Sequence, residues 1–409
     1  MVDDIRPPEL AEAEDASEND TNDETPQAPD SPHSGKLKGP NKAQRLLKAP
    51  KYSWDWLRFK HSHLNRKQKI IFWAAMAILL ILGSAGVYAA YKHFHKPIPT
   101  ENTKPVKKEE PPAPTTVPSP LTGYPVDPAL AKRPVTGVMI ENSPDARPQA
   151  GLNEAGIVFE AIAEGGITRF LALYQESQPD YIGPVRSVRP YYLDFLMPFD
   201  ASIAHAGGAP VALGDIKTLG VKDLDQFANS GAYQRVGTRY APHNLYTSSA
   251  QLDSLNSAKG FTSSAFTSFE RKEDKPYQPP SAGKIDINIS GYFYNVHYDY
   301  DQATNSYKRS EGGAPHVHEK SGAQITPKVV ITLEMSRGIA SDGQHTDYGT
   351  TGSGKMTVFQ DGAFYEGTWS KAGRKDQFVF KDPNGQPIKL NVGQTWITIV
   401  DPGTVFARP

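Results

Sequence analysis

Cysteine is absent from all 409 positions. That excludes disulfide staples and a lipid-modified N-terminal cysteine, so whatever folds must be held by an apolar core of its own. A G-x-S-x-G elbow is missing as well, which leaves serine chemistry without its usual local signature. Excess positive charge is confined to one stretch. Residues 36–69 carry eleven Lys or Arg against Asp55 alone, residues 1–35 carry eleven acids against Arg6, and the two blocks cancel. Everything from residue 70 onward then keeps the overall net charge of −1, too little basicity to imply a nucleic-acid partner.

Long apolar runs are also lacking, with one exception. The segment IIFWAAMAILLILGSAGVYAAY, Ile70–Tyr91, is uncharged over 22 positions, and a bilayer-spanning helix needs about 20 such residues. Arg58, Lys60, Arg66, Lys67 and Lys69 precede it, whereas only Lys92 and Lys96 follow closely. The positive-inside rule keeps the N-terminus in the cytoplasm and exports everything after Tyr91; Trp73 and Tyr91 suit the two interfaces. The 69 preceding residues exceed a signal-peptide n-region, so the run reads as a retained signal-anchor in the cell membrane.

Around this span the chain divides by composition. Residues 1–69 read as a cytoplasmic tail, its first fifty too polar to offset the entropy of ordering. Residues 51–69 mix aromatics with positive charge, which suits either a short helix on the inner leaflet or a disordered stretch with interfacial anchors. Residues 92–132 form a proline-rich spacer, and 270–283 (ERKEDKPYQPPSAG) an interdomain linker. Between them, 133–269 is expected to be a mixed α/β or α+β domain, with strands near 135–140, 157–163, 169–175 and 202–206. A helix should follow Pro190, another should start at Pro210 and stop near Gly220, and a third should be capped by Ser248 and Gly260. Gly165-Gly166 is hairpin chemistry. Residues 284–409 read as a mostly-β domain of short strands without a long helix.

Several stretches carry a family resemblance: RPVTGVMIENSPDARPQAGLNEAGIVFEAIAEGGITRFLALY, IGPVRSVRPYYLDF, HAGGAP, APHNLYTS, GTWSK and GQTWITIV. They are spread from residue 133 to residue 400, and the chain resembles the YerB-like lipoproteins, a bacterial domain-of-unknown-function family with N-terminal and C-terminal parts. The resemblance implies a membrane-tethered, extracytoplasmic protein of two domains and supplies no activity. Typical relatives carry a lipidated cysteine; here a transmembrane helix takes its place.

Polar residues concentrate between Arg186 and Asn244. His205-Ala206-Gly207-Gly208 is expected to end a strand and open a helix, where free backbone N–H groups favour anions. The candidate ligand-binding set is Arg186, Arg189, His205, Gly207, Gly208, Arg235, Arg239, His243 and Asn244, because guanidinium groups match carboxylate and phosphate geometry. The competing reading pairs these arginines with Asp194, Asp200, Asp215 and Asp225 and leaves the glycines as turn formers. An envelope glycan or peptide hydrolase or transferase would instead draw on His205, His243 and Glu160. Glu160 and Glu164, four apart on a strand, stand about 13 Å apart, beyond the roughly 5–9.5 Å of a glycosidase pair. His316-x-His318 before Glu319 lies in Gly- and Pro-rich surroundings that suggest a loop, so no metal or cofactor is expected. The aromatic run YFYNVHYDY alternates as a β core does, in preference to a sugar-stacking platform. Arg309, in the β-rich part, falls outside the cluster, so its replacement is expected to do little to ligand binding. These features favour a non-enzymatic binding or scaffolding protein of the cell envelope. Its expected ligand is an anionic wall polymer, a peptidoglycan peptide or an envelope protein.

Overall fold

The computed structural model describes residues 65–94 and 115–409. The expectations for the tail, the juxtamembrane segment and most of the proline-rich spacer lie outside them. The chain forms two compact units, 1–107 and 108–409.

In the first unit, helix α1 spans Arg66–Phe94 and buries none of its residues. Asn65 and Gln68 cap it reciprocally, each side-chain oxygen accepting the other's backbone N–H at 3.0–3.1 Å. At 1.5 Å per residue its 29 residues reach about 44 Å, longer than the ~30 Å hydrocarbon core of a bilayer. An 18-residue window has mean hydropathy 2.4. By length and composition the helix can cross a membrane; its polar ends extend it past the uncharged run.

In the second unit, strands β1 (Thr136–Glu141), β2 (Ile157–Ile162) and β3 (Thr168–Tyr174) bury every residue. Such strands read as continuous apolar runs because both faces are covered. Val138, Ile140, Val158 and Phe170 face one layer with Leu245, Leu252 and Trp396. Met139, Phe159 and Leu171 face the other, beneath α2 (Pro190–Leu196). A methyl group on Gly137 would stand 2.4 Å from Leu196 Cδ1, so the glycine sets how closely α2 approaches β1. Next come β4 (Ser202–Ala204), α3 (Pro210–Leu219), β5 (Lys222–Asp223) and α4 (Ser249–Ala258). Pro210 occupies the first turn of α3 and Gly220 closes it at φ +68°. Ser248 accepts the Gln251 N–H at the start of α4.

The C-terminal part is mostly β: β6 (Lys284–Ile287), β7 (Val296–Asp301), β8 (Ser306–Glu311), β9 (Val329–Glu334), β10 (Gly352–Gln360), β11 (Ala363–Lys371), β12 (Val379–Lys381), β13 (Thr395–Val400) and β14 (Val405–Arg408). Ten strands join in one sheet, ordered β12-β11-β10-β9-β13-β2-β3-β1-β4-β5. The join between the two parts is the parallel pair β13–β2, in register from Thr395–Ile157 to Thr398–Glu160. A second sheet holds β8-β7-β6-β14 with Ala314–Pro315 at its edge. Its Ile285, Ile287, Tyr298 and Tyr307 pack with Val330, Phe359 and Val400 of the large sheet.

The expected segment boundaries look different in three dimensions. Residues 115–132 were assigned to the spacer, yet Leu121 is buried in the main core. Within 270–283, Arg271–Lys272 pair in parallel with Leu390–Asn391, and Arg271 reaches the Leu121 carbonyl. Polar, proline-rich composition marks a lack of regular structure, and here that structure is packed rather than loose.

Candidate functional site

Strands β1, β2, β4, β5, β9 and β13 run in the same direction, so their carboxyl ends share one edge of the sheet. Open sheets with parallel strands present ligand sites at that edge. Glu141 ends β1, His205 follows β4 and Asp223 ends β5.

Glu141 is buried, and three side chains converge on its carboxylate. Ser143 donates to Oε1 at 3.1 Å, His243 Nδ1 lies 3.0 Å from Oε2, and Arg186 Nε forms an ion pair at 3.2 Å without aiming its N–H along the contact. The Arg186 and His243 side chains remain 29% and 22% exposed, so the cluster opens to solvent on their side. His243 Nδ1 also lies 3.3 Å from Ser143 Oγ. A serine–histidine–acid relay needs the acid on one ring nitrogen and the serine on the other. Here both contacts fall on Nδ1, and Nε2 makes no hydrogen bond or ion pair among the described residues.

Loop 235–244 holds His243 in place, and three expected ligand-binding residues serve that loop. Arg235 donates to Asn244 Oδ1 at 2.8 Å, and Asn244 donates to the Val236 carbonyl. Arg239 donates to the Pro148 carbonyl at 2.6 Å and the Asp145 carbonyl at 3.3 Å, with Glu319 3.6 Å away. Arg189 forms a two-pronged pair with Glu164, and Arg169 adds a second cation at 3.8 Å. Burial works to raise the Glu164 pKa, but the bonds and charges of Arg189 and Arg169 hold it below the usual range. None of the four aspartates weighed against these arginines takes one: Arg374 occupies Asp194 and Asp215, Lys222 pairs with Asp200, and Asp225 lies 3.6 Å from His205.

His205 is fully buried. Its Nδ1 lies 2.8 Å from the Gly207 carbonyl and its Nε2 3.0 Å from Asp223. Although burial pushes Asp223 up, its bond to His205 leaves the carboxyl below its ordinary value. Gly207 has φ +62° and donates its N–H to Asp225. Gly208 lies against Val188, where a Cβ would stand 2.9 Å from the backbone oxygen. His205 staples β4 to β5 and is closed to a ligand, whereas Gly207 and Gly208 are half-buried and serve as turn and close-approach positions.

Beneath Glu141 lies a buried polar network. Asn142 Nδ2 donates to Thr168 and to Glu311, each at 2.6 Å, and Gln149 bridges the Glu141 carbonyl to His316. At its centre is Arg309, which is fully buried. Its Nη2 meets both oxygens of Glu160 at 2.9–3.0 Å, its Nη1 meets Glu311 at 3.2 Å and His316 Nδ1, and its guanidinium lies 4.6 Å from the Trp396 ring. Arg309 is thus no peripheral residue. Burial, then the Arg309 and Arg147 charges, push His316 well below its usual pKa. The ring is neutral, donating from Nε2 to Gln149 and accepting at Nδ1. Glu160, His205 and His243, the catalytic trio of the hydrolase reading, have three separate sets of partners, and only His243 is open. Among the described residues, no group of three or more His, Asp or Glu is placed to hold a metal.

Glu141 and Ser143 were missed because they sit outside the arginine-rich stretch. Their signal was a buried strand ending in a carboxylate before Asn-Ser-Pro. The descriptions "Protein of unknown function (DUF3048) N-terminal domain" and "Protein of unknown function (DUF3048) C-terminal domain" match residues 121–262 and 285–397. The chain belongs to the DUF3048 family. The Glu141 cluster lies in the first match and Arg309, Glu311 and His316 in the second. This DUF3048 chain is 30% identical over 286 residues to "Putative lipoprotein YerB" of Bacillus subtilis (strain 168), across 69% of its own length and 86% of that protein. It is also similar to the crystal structure of YerB protein from Bacillus subtilis, with TM-score 0.65 and 28% identity, covering 72% of this chain and 100% of that one.

Proposed function

We propose that this DUF3048 protein is a membrane-anchored, extracytoplasmic binding protein of the cell envelope that engages an anionic ligand through Arg186 and His243. The observation that carries this is the open pair of a guanidinium and an imidazole seated on one buried carboxylate at the carboxyl edge. Glu141 fixes both groups before a ligand arrives, which reduces the entropy lost on binding. The anchor is α1, with its basic flank inside; a relative named as a lipoprotein suggests that a helix here does the work of a lipid tether. The ligand classes remain wall polymer, peptidoglycan peptide and envelope protein.

Titration of the full chain in detergent micelles with inorganic polyphosphate tests the site. Arg186→Gln and His243→Gln should each weaken binding about tenfold or more, as expected for charge-assisted bonds of ~1.5–3 kcal/mol. Unchanged affinity in both variants would remove the site. Protease added to wall-stripped cells should digest the region after about Lys96 and spare the tail; the reverse pattern would overturn the topology. One observation favours a second reading. A histidine with Nδ1 on a carboxylate and Nε2 unengaged is also placed as a general base. Release of sugars or peptides from wall fragments, lost in His243→Ala, would promote a hydrolase over a binding protein.

A further inference from the structure

The most exposed large apolar side chains of the folded unit gather around the carboxyl-edge cluster. Among the described residues of that unit, Tyr240 is 91% exposed, Ile339 73%, Phe227 71%, Tyr292 68% and Phe293 58%. Of these five, all but Ile339 are tied to the cluster by a contact or a short stretch of chain. The Tyr240 carbonyl accepts the His243 N–H. Phe227 lies over Gly207, one residue from Ala206, whose N–H donates to the Arg186 carbonyl. The Phe293 carbonyl accepts from Arg147, which also donates to Asn142, the neighbour of Glu141. Ser290, at the start of the 290–294 turn, touches the Gly166 hairpin, beside the Arg189–Glu164 pair.

The turn that carries Tyr292 and Phe293 is held in place. Gly312 and Gly313, both at positive φ, bring the β8 turn against the Phe293 backbone and the Tyr292 hydroxyl. Arg147 stacks on Tyr294 at 5.2 Å and fixes the same turn. The expected core role of the YFYNVHYDY run therefore holds for Tyr298, which is buried, and fails for Tyr292 and Phe293. Leaving such rings in water forgoes the burial that ordinarily stabilises them.

We infer that the carboxyl edge takes a glycan, whose sugar rings stack on Tyr240, Tyr292 and Phe293 while Arg186 and His243 meet its hydroxyl or acidic groups. This rests on the reading of that edge as the binding site. A pyranose has an apolar C–H face and a rim of hydroxyls, so it asks for flat aromatic surfaces interrupted by hydrogen-bonding groups. Hydrogen-bonding groups adjoin these rings, Arg147 at the Phe293 carbonyl and His243 at the Tyr240 carbonyl, which suits that division better than the continuous apolar centre of a protein interface.

Two probes separate this inference from the reading it rests on. Full-length protein in detergent micelles is titrated with an uncharged chitooligosaccharide and, separately, with inorganic polyphosphate. The oligosaccharide should bind, and Tyr240→Ala and the double variant Tyr292→Ala/Phe293→Ala should each weaken it about tenfold, whereas Tyr240→Phe and Ile339→Ala should not. Polyphosphate binding should be unchanged in the aromatic variants. Polyphosphate binding without oligosaccharide binding overturns the glycan and leaves the anion site standing. Oligosaccharide binding insensitive to all the aromatic substitutions overturns the stacking. A protein captured in cells only by chains with intact rings, when the oligosaccharide does not bind, overturns the glycan in favour of a protein ligand.

Discussion

Replacing Arg309 by Met tests the buried network most directly, because methionine keeps much of the apolar stem while removing the charge and the hydrogen bonds to Glu160, Glu311 and His316. In the native chain Arg309 and Arg147 face Glu160 and Glu311, so two cations balance two carboxylates. Without Arg309 one buried negative charge is uncompensated, and the least costly remedy is protonation. Glu311 is the group to take the proton, since burial and then the neighbouring Glu160 already raise its pKa against the pull of Arg309 and Arg147. Protonating a carboxyl of ordinary pKa about 4.3 at pH 7 costs about 3.7 kcal/mol at ~1.4 kcal/mol per unit. That agrees with the ~3–5 kcal/mol lost on breaking a buried pair. The sign follows from linkage. A carboxyl whose folded pKa lies above its unfolded value costs nothing below about pH 4.3 and progressively more as pH rises. The deficit should therefore shrink to about 1 kcal/mol near pH 5. Urea unfolding of the full chain, followed by tryptophan emission with Trp396 beside the substitution, measures it. Arg309→Met/Glu311→Gln, which restores charge balance, should recover at least half the loss at pH 7. A deficit below about 1 kcal/mol at pH 7, or one equal at pH 5 and pH 7, would refute the charge argument.

His205→Ala removes two part-buried hydrogen bonds and should cost about 1–3 kcal/mol in the same assay. Because the His205 bond holds the Asp223 pKa down against burial, that part of the stability is present above the usual aspartate range and is lost as pH falls through the lowered value. The variant's acid-unfolding midpoint should move upward. Gly208→Ala should lower the melting temperature more than Gly207→Ala, since a methyl 2.9 Å from the Val188 backbone oxygen outweighs the joint cost at Gly207 of a positive φ and a Phe227 ring edge at 3.2 Å. Equal shifts would argue that the Val188 segment yields. Arg239→Lys cannot reach both the Asp145 and Pro148 carbonyls with one ammonium group. Hydrogen exchange across 236–243 should quicken while the unfolding midpoint stays within about 1 kcal/mol of wild type; unchanged exchange would free the loop from this strap.

Local structure was largely legible where local chemistry decides it. Pro210 with Gly220, and Ser248 with Gln251, sit where the helix ends require them, because a fixed φ, a positive φ and a short side-chain bond act within one turn. The candidate site was half legible. The stretch from Arg186 to Asn244 does supply Arg186 and His243, but the carboxylate that brings them together comes from β1, 102 positions from His243. Arg235 and Asn244 carry the right functional groups and spend them within their own loop, and Arg239 spends its own in strapping that loop to the Asp145 and Pro148 carbonyls.

Sequence alone determined that Ile70–Tyr91 is too apolar and too long for an ordinary surface helix, that no disulfide exists, and that α/β character gives way to β after residue 284. Each of these follows from composition or from a period of a few residues. Only the tertiary structure decided which charges meet. Arg309 and Glu160 are 149 positions apart, and strand periodicity reports the face a side chain occupies without naming its partner. The parallel pairing of β13 with β2 made one sheet of two apparent domains and placed Trp396 and Arg309 on Glu160. A charge on a strand reads as surface until the opposing sheet is in place; here that sheet closes over it, and the cost of dehydration obliges the chain to supply every partner.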